Sequence, residues 1–413
     1  MSTVPARPAL RPLSDALAQL LACATPAVDC EWIPILQADG RVLRQNVVSQ
    51  LHVPPQDNSS MDGYALRVQD VVQAGTVLPV SQRIAAGSSG PALQAGTVAR
   101  IFTGAPIPEG ADAVVMQEDC ALQDGEPARV AVQTLPKPGQ WIRRAGEDVA
   151  HGDVVLAQGS RLDPAALGLA ASVGMAELQV ARRPRVALFS TGDELVMPGT
   201  VAPGDMPPGA IYNSNRYFLA RLLARLGCEV TDCGIVPDQR EATVGALREA
   251  SQGNDLILTS GGVSVGEEDH IKPAVQALGQ LDLWQIAIKP GKPFAYGRVG
   301  DAHFMGLPGN PVSSFVTFLL LVRPFLLRLL GANDVQLQRV AARADFAWPR
   351  PDKRQEFLRV RRNAAGGLDL FPNHSSGVLT SVSWADGLVD NPPGQAIQPG
   401  DTVQFVSLAE LLA

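Results

Sequence analysis

The sequence predicts an α/β multidomain protein: a central doubly wound α/β domain, two β-rich modules and a small mixed N-terminal domain. Three observations carry this prediction. From Arg185, strand-like and helix-period segments alternate over about 150 residues, the signature of a mostly parallel sheet with helical crossovers. Residues 52–140 are rich in Gly, Pro and Val, with a turn cluster roughly every ten residues, which reads as β structure. From about residue 335 the helical period disappears again.

Residues 12–25 carry a helical period with Ser14 as the expected N-cap, and 28–50 hold short runs such as EWIPIL. After WIRRAGEDVAHGDVVL a second helix is expected in DPAALGLAASVG. Because it matches the opening helix in length, 1–51 and 141–180 are read as one discontinuous domain into which 52–140 is inserted. The central domain, 181–332, starts with the strand RVALFS and a helix in NSNRYFLARLLARLG. Strand CEVTDCGIV, helix REATVGALREAS, strand DLILTS and helix IKPAVQALG follow, then strands LWQIAIK and HFMGL and a long buried helix PVSSFVTFLLLVRPFLLRLL. The last domain, 333–413, is read as barrel-like from QEFLRVRR, GLDLFP and DTVQFVSL.

Composition narrows the function. With 46% hydrophobic and 18% charged residues the 413-residue chain folds rather than staying disordered. A net charge of −7 argues against sequence-independent nucleic-acid binding, which needs a basic surface. The five cysteines show no C-x-x-C or metal-ligand spacing, which fits free thiols in a cytoplasmic protein. The run FVTFLLLV is cut off by Arg323 and Pro324, too short for a membrane span of roughly 20 residues.

Ligands of open α/β sheets bind beyond the carboxyl ends of the strands, and the loops there are polar and glycine-rich. SGGVSVGEED contains Ser260, Gly261, Gly262, Ser264, Gly266 and Asp269. Its glycines permit close approach of an anion and its acids a bridging Mg²⁺, although an acidic N-cap for the next helix fits the same spacing. IKPGKP concentrates Lys289 and Lys292 in a chain with five lysines; two ammonium groups on a rigid turn suit a compact anion, and a solvated turn is the alternative. LPGNPVSS opens a helix with Asn310 as N-cap and Pro311 at the first position, leaving N–H groups for an anion or simply joining strand to helix. DNSSMDGYAL and RIFTGAPIPEGADAVV cluster polar groups that also serve ordinary turns.

Taken together, DNSSMDGYA, RIFTGAPIPEGADAVVMQED, RRAGEDV, VALFSTGDEL, SGGVSVGEEDH, IKPGKPFAYG and GLPGNPVSS resemble the molybdopterin molybdenumtransferase family, MoeA, in the family's order and over essentially the whole chain. The resemblance implies molybdenum cofactor biosynthesis: molybdate enters adenylylated molybdopterin and AMP is released with Mg²⁺ assistance. It also implies an elongated homodimer, with the central domain molybdopterin-binding-like and each cleft shared between subunits. Carried over motif by motif, the catalytic acids and hydroxyls are Asp62, Thr103, Asp148, Glu194, Asp238 and Asp269, with Asp269 and Glu194 as metal ligands. The substrate-binding set is Ser260, Gly261, Gly262, Ser264, Gly266, Lys289, Lys292, Pro308, Pro311, Arg359 and Ser376. The chain departs from the family pattern at YNSN, where an aspartate is common, and at HSSG, where glutamine and glycine are common, which leaves the roles of Asn213 and His374 open. Rival readings are a molybdopterin adenylyltransferase, which is also a candidate partner, and a non-catalytic dimeric scaffold. The extra modules argue against the first, and the acids and lysines in the strand-end loops against the second.

Overall fold

Val186, Ala187, Leu188 and Phe189 are all buried, so the strand they build has no solvent face and its sequence is a continuous apolar run. The computed structural model describes residues 10–25, 29–237, 239–262 and 270–412. It places this strand, β1 (Arg185–Thr191), in a six-stranded sheet with β2 (Glu229–Val236), β3 (Leu256–Ser260), β4 (Gly279–Gln285), β5 (Pro293–Val299) and β6 (Ala302–Leu307). The order across the sheet is β2-β1-β3-β6-β5-β4.

The first four strands of that order are parallel, as the alternation predicts. The far edge departs from the prediction. PFAYGRV, whose Pro293 and Gly297 mask any strand period, forms β5 and runs antiparallel to both β6 and β4. LWQIAIK is not one strand. LWQ ends β4, whereas Ile288–Lys289 leaves this sheet and pairs in parallel with Gln355–Arg362 of the C-terminal module.

Helices cover both faces. α1 (Asn215–Arg225) and α4 (Pro311–Leu329) share a core with Val186, Leu188, Leu256 and Leu258. α2 (Arg240–Ala250) and α3 (Ile271–Leu278) pack on Ala187, Phe189, Ile257 and Phe304. The alternation of Val186 and Leu188 with Ala187 and Phe189 assigns each face. α4 is long and apolar enough to cross a membrane, but 89% of that window is buried, which makes it a core helix. Its turn widens to a π stretch at Phe318–Val322 just before Pro324, a residue that cannot supply the next helical N–H.

The remaining units repeat the predicted pattern with local corrections. The opening helix, Leu13–Cys23, is capped at Pro12 rather than Ser14. Ala16 N–H already bonds the Pro12 carbonyl, and the Ser14 hydroxyl turns to Asp15 instead. Cys30–Pro34 pairs with Glu177–Ala181, and Val47–Val48 with Val154–Leu156, so segments on both sides of the β module interlock. Between them, Gly63–Leu66, Thr76–Ile84, Val98–Ile101, Ala113–Met116, Cys120–Gln123 and Arg129–Val132 form one sheet. Two short helices, Thr380–Trp384 and Leu408–Leu412, occur after residue 335 where none was expected. Five residues are too few for a helical period to show.

Candidate active site

A cleft of about 820 Å³ opens at the carboxyl edge of the central sheet, a size suited to a nucleotide-sized ligand. β1 delivers Thr191 and Glu194, β3 delivers Ser260, Gly261 and Gly262, and β6 leads through Pro308 into the start of α4 at Pro311. Gly377 and Leu379 of the C-terminal module close one side. The parallel strands place these chain-distant residues side by side because each ends at the same edge.

Space and backbone conformation require the two glycines. Gly261 and Gly262 have φ of +97° and +67°, and a Cβ would lie 2.8 Å from the Thr191 carbonyl oxygen at Gly261 and 2.5 Å from Ile271 Cγ1 at Gly262. Gly261 N–H is already donated to the Leu307 carbonyl at 3.0 Å, so it is not free to bind an anion. The start of α4 is likewise partly used, because Val312 N–H bonds the Ser376 carbonyl at 3.0 Å. Ser376 therefore reaches the cleft edge through its backbone. Asn310 stands at the N-cap as expected, without a side-chain bond.

Asn215, which sequence patterning does not single out, braces the site. Its Nδ2 donates to Ser260 Oγ and to the Gly309 carbonyl, both at 2.7 Å, tying the ends of β3 and β6 together. Thr191 is also missed, although it begins the TGDEL loop. Its buried hydroxyl has no partner among the described residues, and neither has Asn213 Nδ2, at 2% exposure. Glu194 is the carboxylate of the cleft lining, and no group of three or more His, Cys, Asp or Glu converges among the described residues. One carboxylate together with substrate phosphates still suits Mg²⁺, which keeps few protein ligands. Asp238, Ser264, Gly266 and Asp269 lie outside the described residues.

Other expected residues stand apart from this lining. Asp62 accepts from Thr103 N–H and Oγ1, both at 2.8 Å, on the inserted β module. Those two bonds lower its pKa. Asp148 is exposed on the neighbouring loop. Lys289 is bound to Glu356 at 3.2 Å and Asp352 at 3.5 Å, so its charge is shared with the C-terminal module. Lys292 adjoins Pro293, which does line the cleft. The IKPGKP loop leads from β4 into β5, and β6 stands between β5 and β3. At about 4.8 Å per strand, Pro293 at the start of β5 lies roughly 10 Å from the end of β3.

Arg359 is 1% exposed, and burial pushes its guanidinium down to about 10. It donates to Ser381 Oγ and the Phe357 carbonyl, while Nη2 has no partner among the described residues. His374 stacks edge-on with Trp348, 5.1 Å between centroids. Burial, then the Arg359 charge, pushes its pKa down to about 4, which keeps the ring neutral at pH 7.

Comparison with known proteins agrees with this architecture. Residues 11–174 match the family profile described as "MoeA N-terminal region (domain I and II)". Residues 187–328 match "Probable molybdopterin binding domain", and 341–408 match "MoeA C-terminal region (domain IV)". A molybdopterin molybdenumtransferase of Haemophilus influenzae is 44% identical, over 76% of this chain and 80% of its own length. Molybdopterin molybdenumtransferase 2 of Mycobacterium tuberculosis is 38% identical, over 87% and 90%. The crystal structure of a molybdopterin biosynthesis moeA protein from Pyrococcus horikoshii OT3 superposes with a TM-score of 0.83 at 28% identity, covering 97% of this chain and all of that one. With three family regions matched in order and relatives above 30% identity along most of its length, the chain belongs to the MoeA family, the molybdopterin molybdenumtransferases of molybdenum cofactor biosynthesis.

Proposed function

We propose that this transferase inserts molybdate into adenylylated molybdopterin and releases AMP, with the adenylate seated in the cleft at the carboxyl edge of the central sheet. The observation that carries the reading is the cleft lining: two glycines that admit close approach, unpaired buried donors at Thr191 and Asn213, and one acid, Glu194. Pro308 and Pro311 line the same cleft, and Ser260 is kept in place by Asn215. Lys289 and Lys292, with Arg359 of the C-terminal module, supply positive charge for the molybdate dianion, and Ser376 a hydroxyl to bond it. Mg²⁺, when bound, neutralises phosphate charge as AMP leaves; Glu194, with Asp269, would hold it.

The working unit is a homodimer built from four-domain subunits, 1–51 with 141–180, 52–140, 181–332 and 333–413. Asp62, Thr103 and Asp148 are absent from the cleft lining of their own chain, which supports delivery of the inserted module to the partner's cleft. An open apolar recess of about 600 Å³ between Tyr217, Phe218, Phe315 and Val382 supports association as well. A monomer in light scattering at micromolar concentration would overturn the dimer. The molybdopterin adenylyltransferase is the proposed donor of the adenylate, and the cytoplasm the site of action.

The activity is tested by AMP release at saturating Mg²⁺ while molybdate is titrated, with sulfate as the control oxyanion. Molybdate is expected to accelerate release and sulfate is not. Equal rates without molybdate would remove the coupling between metal insertion and AMP departure, and no AMP release under any condition would remove the activity.

A further inference from the structure

Asn213 joins the short strand Ile211–Tyr212 to α1. Its backbone N–H donates to the Val196 carbonyl at 2.9 Å, which fixes the main chain. Its side-chain Oδ1 accepts from Arg216 N–H at 3.3 Å and so satisfies one of the orphan donors in the first turn of α1. With the oxygen held by the helix, the amide nitrogen must face away from it. That nitrogen is buried, belongs to a residue 2% exposed, lines the cleft, and has no partner among the described residues. Leaving such a donor unmet is costly, and buried polar groups in folded proteins are nearly always paired. A ligand seated in the cleft can supply the missing acceptor.

We propose that Asn213 Nδ2 binds a phosphate oxygen of the adenylate. Because Oδ1 is committed to α1, the residue acts toward the cleft purely as a neutral donor. The Thr191 hydroxyl, also unpaired among the described residues, stands in the same lining, and Gly261 and Gly262 remove the Cβ atoms that would crowd it. An aspartate of the same shape would cap the helix equally well but present a carboxylate, which repels phosphate unless a cation intervenes. The assignment rests on reading the cleft as the seat of the adenylate.

The experiment is calorimetric titration of the full-length protein with AMP, pyrophosphate and adenosine, each with and without Mg²⁺. Asn213→Asp keeps the cap and reverses the group that faces the cleft. Without Mg²⁺ it is expected to weaken AMP and pyrophosphate binding about tenfold or more, the size of a lost hydrogen bond to a charged group. Adenosine binding stays unchanged, and Mg²⁺ restores part of the loss. Asn213→Ser, which retains an oxygen for capping and deletes Nδ2, weakens AMP binding without recovery in Mg²⁺. Wild-type affinity for AMP in both variants would overturn the assignment while leaving the adenylate reading intact. An equal loss for adenosine would overturn it in favour of a contact to the nucleoside. If the wild-type protein binds neither AMP nor pyrophosphate, the adenylate reading falls and the assignment with it.

Discussion

The cleft of the central sheet and the inserted β module both carry clusters of polar groups, but they treat those groups in opposite ways. In the cleft, Thr191 Oγ1 and Asn213 Nδ2 are buried and unpaired among the described residues. In the module, Asp62 is exposed and doubly bonded by Thr103, and Asp57 is bonded by Ala145 N–H and by Arg144. An unpaired buried donor signals a ligand that completes the site from outside. A satisfied, exposed carboxylate carries no such signal.

The most demanding test of this contrast combines the two regions. Asp62→Ala and Glu194→Ala should each lower AMP release by about a hundredfold or more, the loss typical of a removed acid or base. Mixed and reassembled, the two variants should recover part of the activity, because one cleft of each mixed dimer then keeps both residues. Absence of recovery, with mixed dimers verified by mass, would mean that each chain completes its own cleft and that the module acts within its own subunit.

Glycine substitutions sharpen the same contrast through stability. Gly261 and Gly104 both have positive φ, +97° and +80°, but a Cβ at Gly261 meets the Thr191 carbonyl oxygen at 2.8 Å whereas nothing lies within 4 Å at Gly104. Gly104→Ala should cost about 1 kcal/mol from backbone strain alone. Gly261→Ala should cost roughly 2–3 kcal/mol and weaken AMP binding, because Thr191 must shift as well. Urea unfolding followed by AMP titration separates the two, and equal costs would show that the cleft is looser than its geometry implies.

The lysines make a third comparison, between a paired and an unpaired cation. Lys289 lies 3.2 Å from Glu356, which is only 1% exposed, whereas Lys292 has no ion pair among the described residues. Lys292→Ala should raise the molybdate requirement roughly tenfold with little change in stability. Lys289→Ala should raise it too, and also destabilise the fold by roughly 1–2 kcal/mol. That cost is less than a fully buried pair would show, because the lysine stays partly exposed. A stability loss in the Lys292 variant and none in the Lys289 variant would reverse these roles.

What the sequence discloses follows from the range of the interaction involved. β1 and β3 are legible because the short apolar runs Val186–Phe189 and Leu256–Leu258 set them locally, and the helices because their period repeats within one segment. β5 is illegible because Pro293 and Gly297 interrupt a strand buried along most of its length, which erases alternation. The cleft loops are legible as glycine, acid and lysine clusters, since conformation and charge are written residue by residue. Their use is not. That Gly261 N–H is spent on Leu307, that Ser376 caps Val312, and that Lys289 answers Glu356 depends on partners 46, 64 and 67 residues away. The donor of Asn213 falls between these cases. Its role as a cap on α1 is local, but its freedom toward the cleft exists only once β1, β3 and β6 have built the surrounding wall.

Acid provides the smallest effect and discriminates between the regions without mutation. Asp57 is held below the usual carboxylate range by the Ala145 N–H and, against a burial penalty, by the Arg144 guanidinium. Asp62 is held low by the N–H and hydroxyl of Thr103. Both groups therefore stabilise the module fully above the unfolded carboxylate value of about 3.9, and lose that contribution as pH falls through their depressed folded values. The unpaired cleft groups, a hydroxyl and an amide, do not titrate there. Amide hydrogen exchange corrected for intrinsic rate should show Thr103 and Ala145 losing protection below about pH 4, by less than about tenfold because both acids are near the surface. Gly261, whose N–H bonds a backbone carbonyl, should stay protected over the same interval. Simultaneous loss at all three amides would mean that the module and the central sheet unfold as one unit, and protection at Thr103 persisting to pH 2 would mean that Asp62 is not what holds its loop.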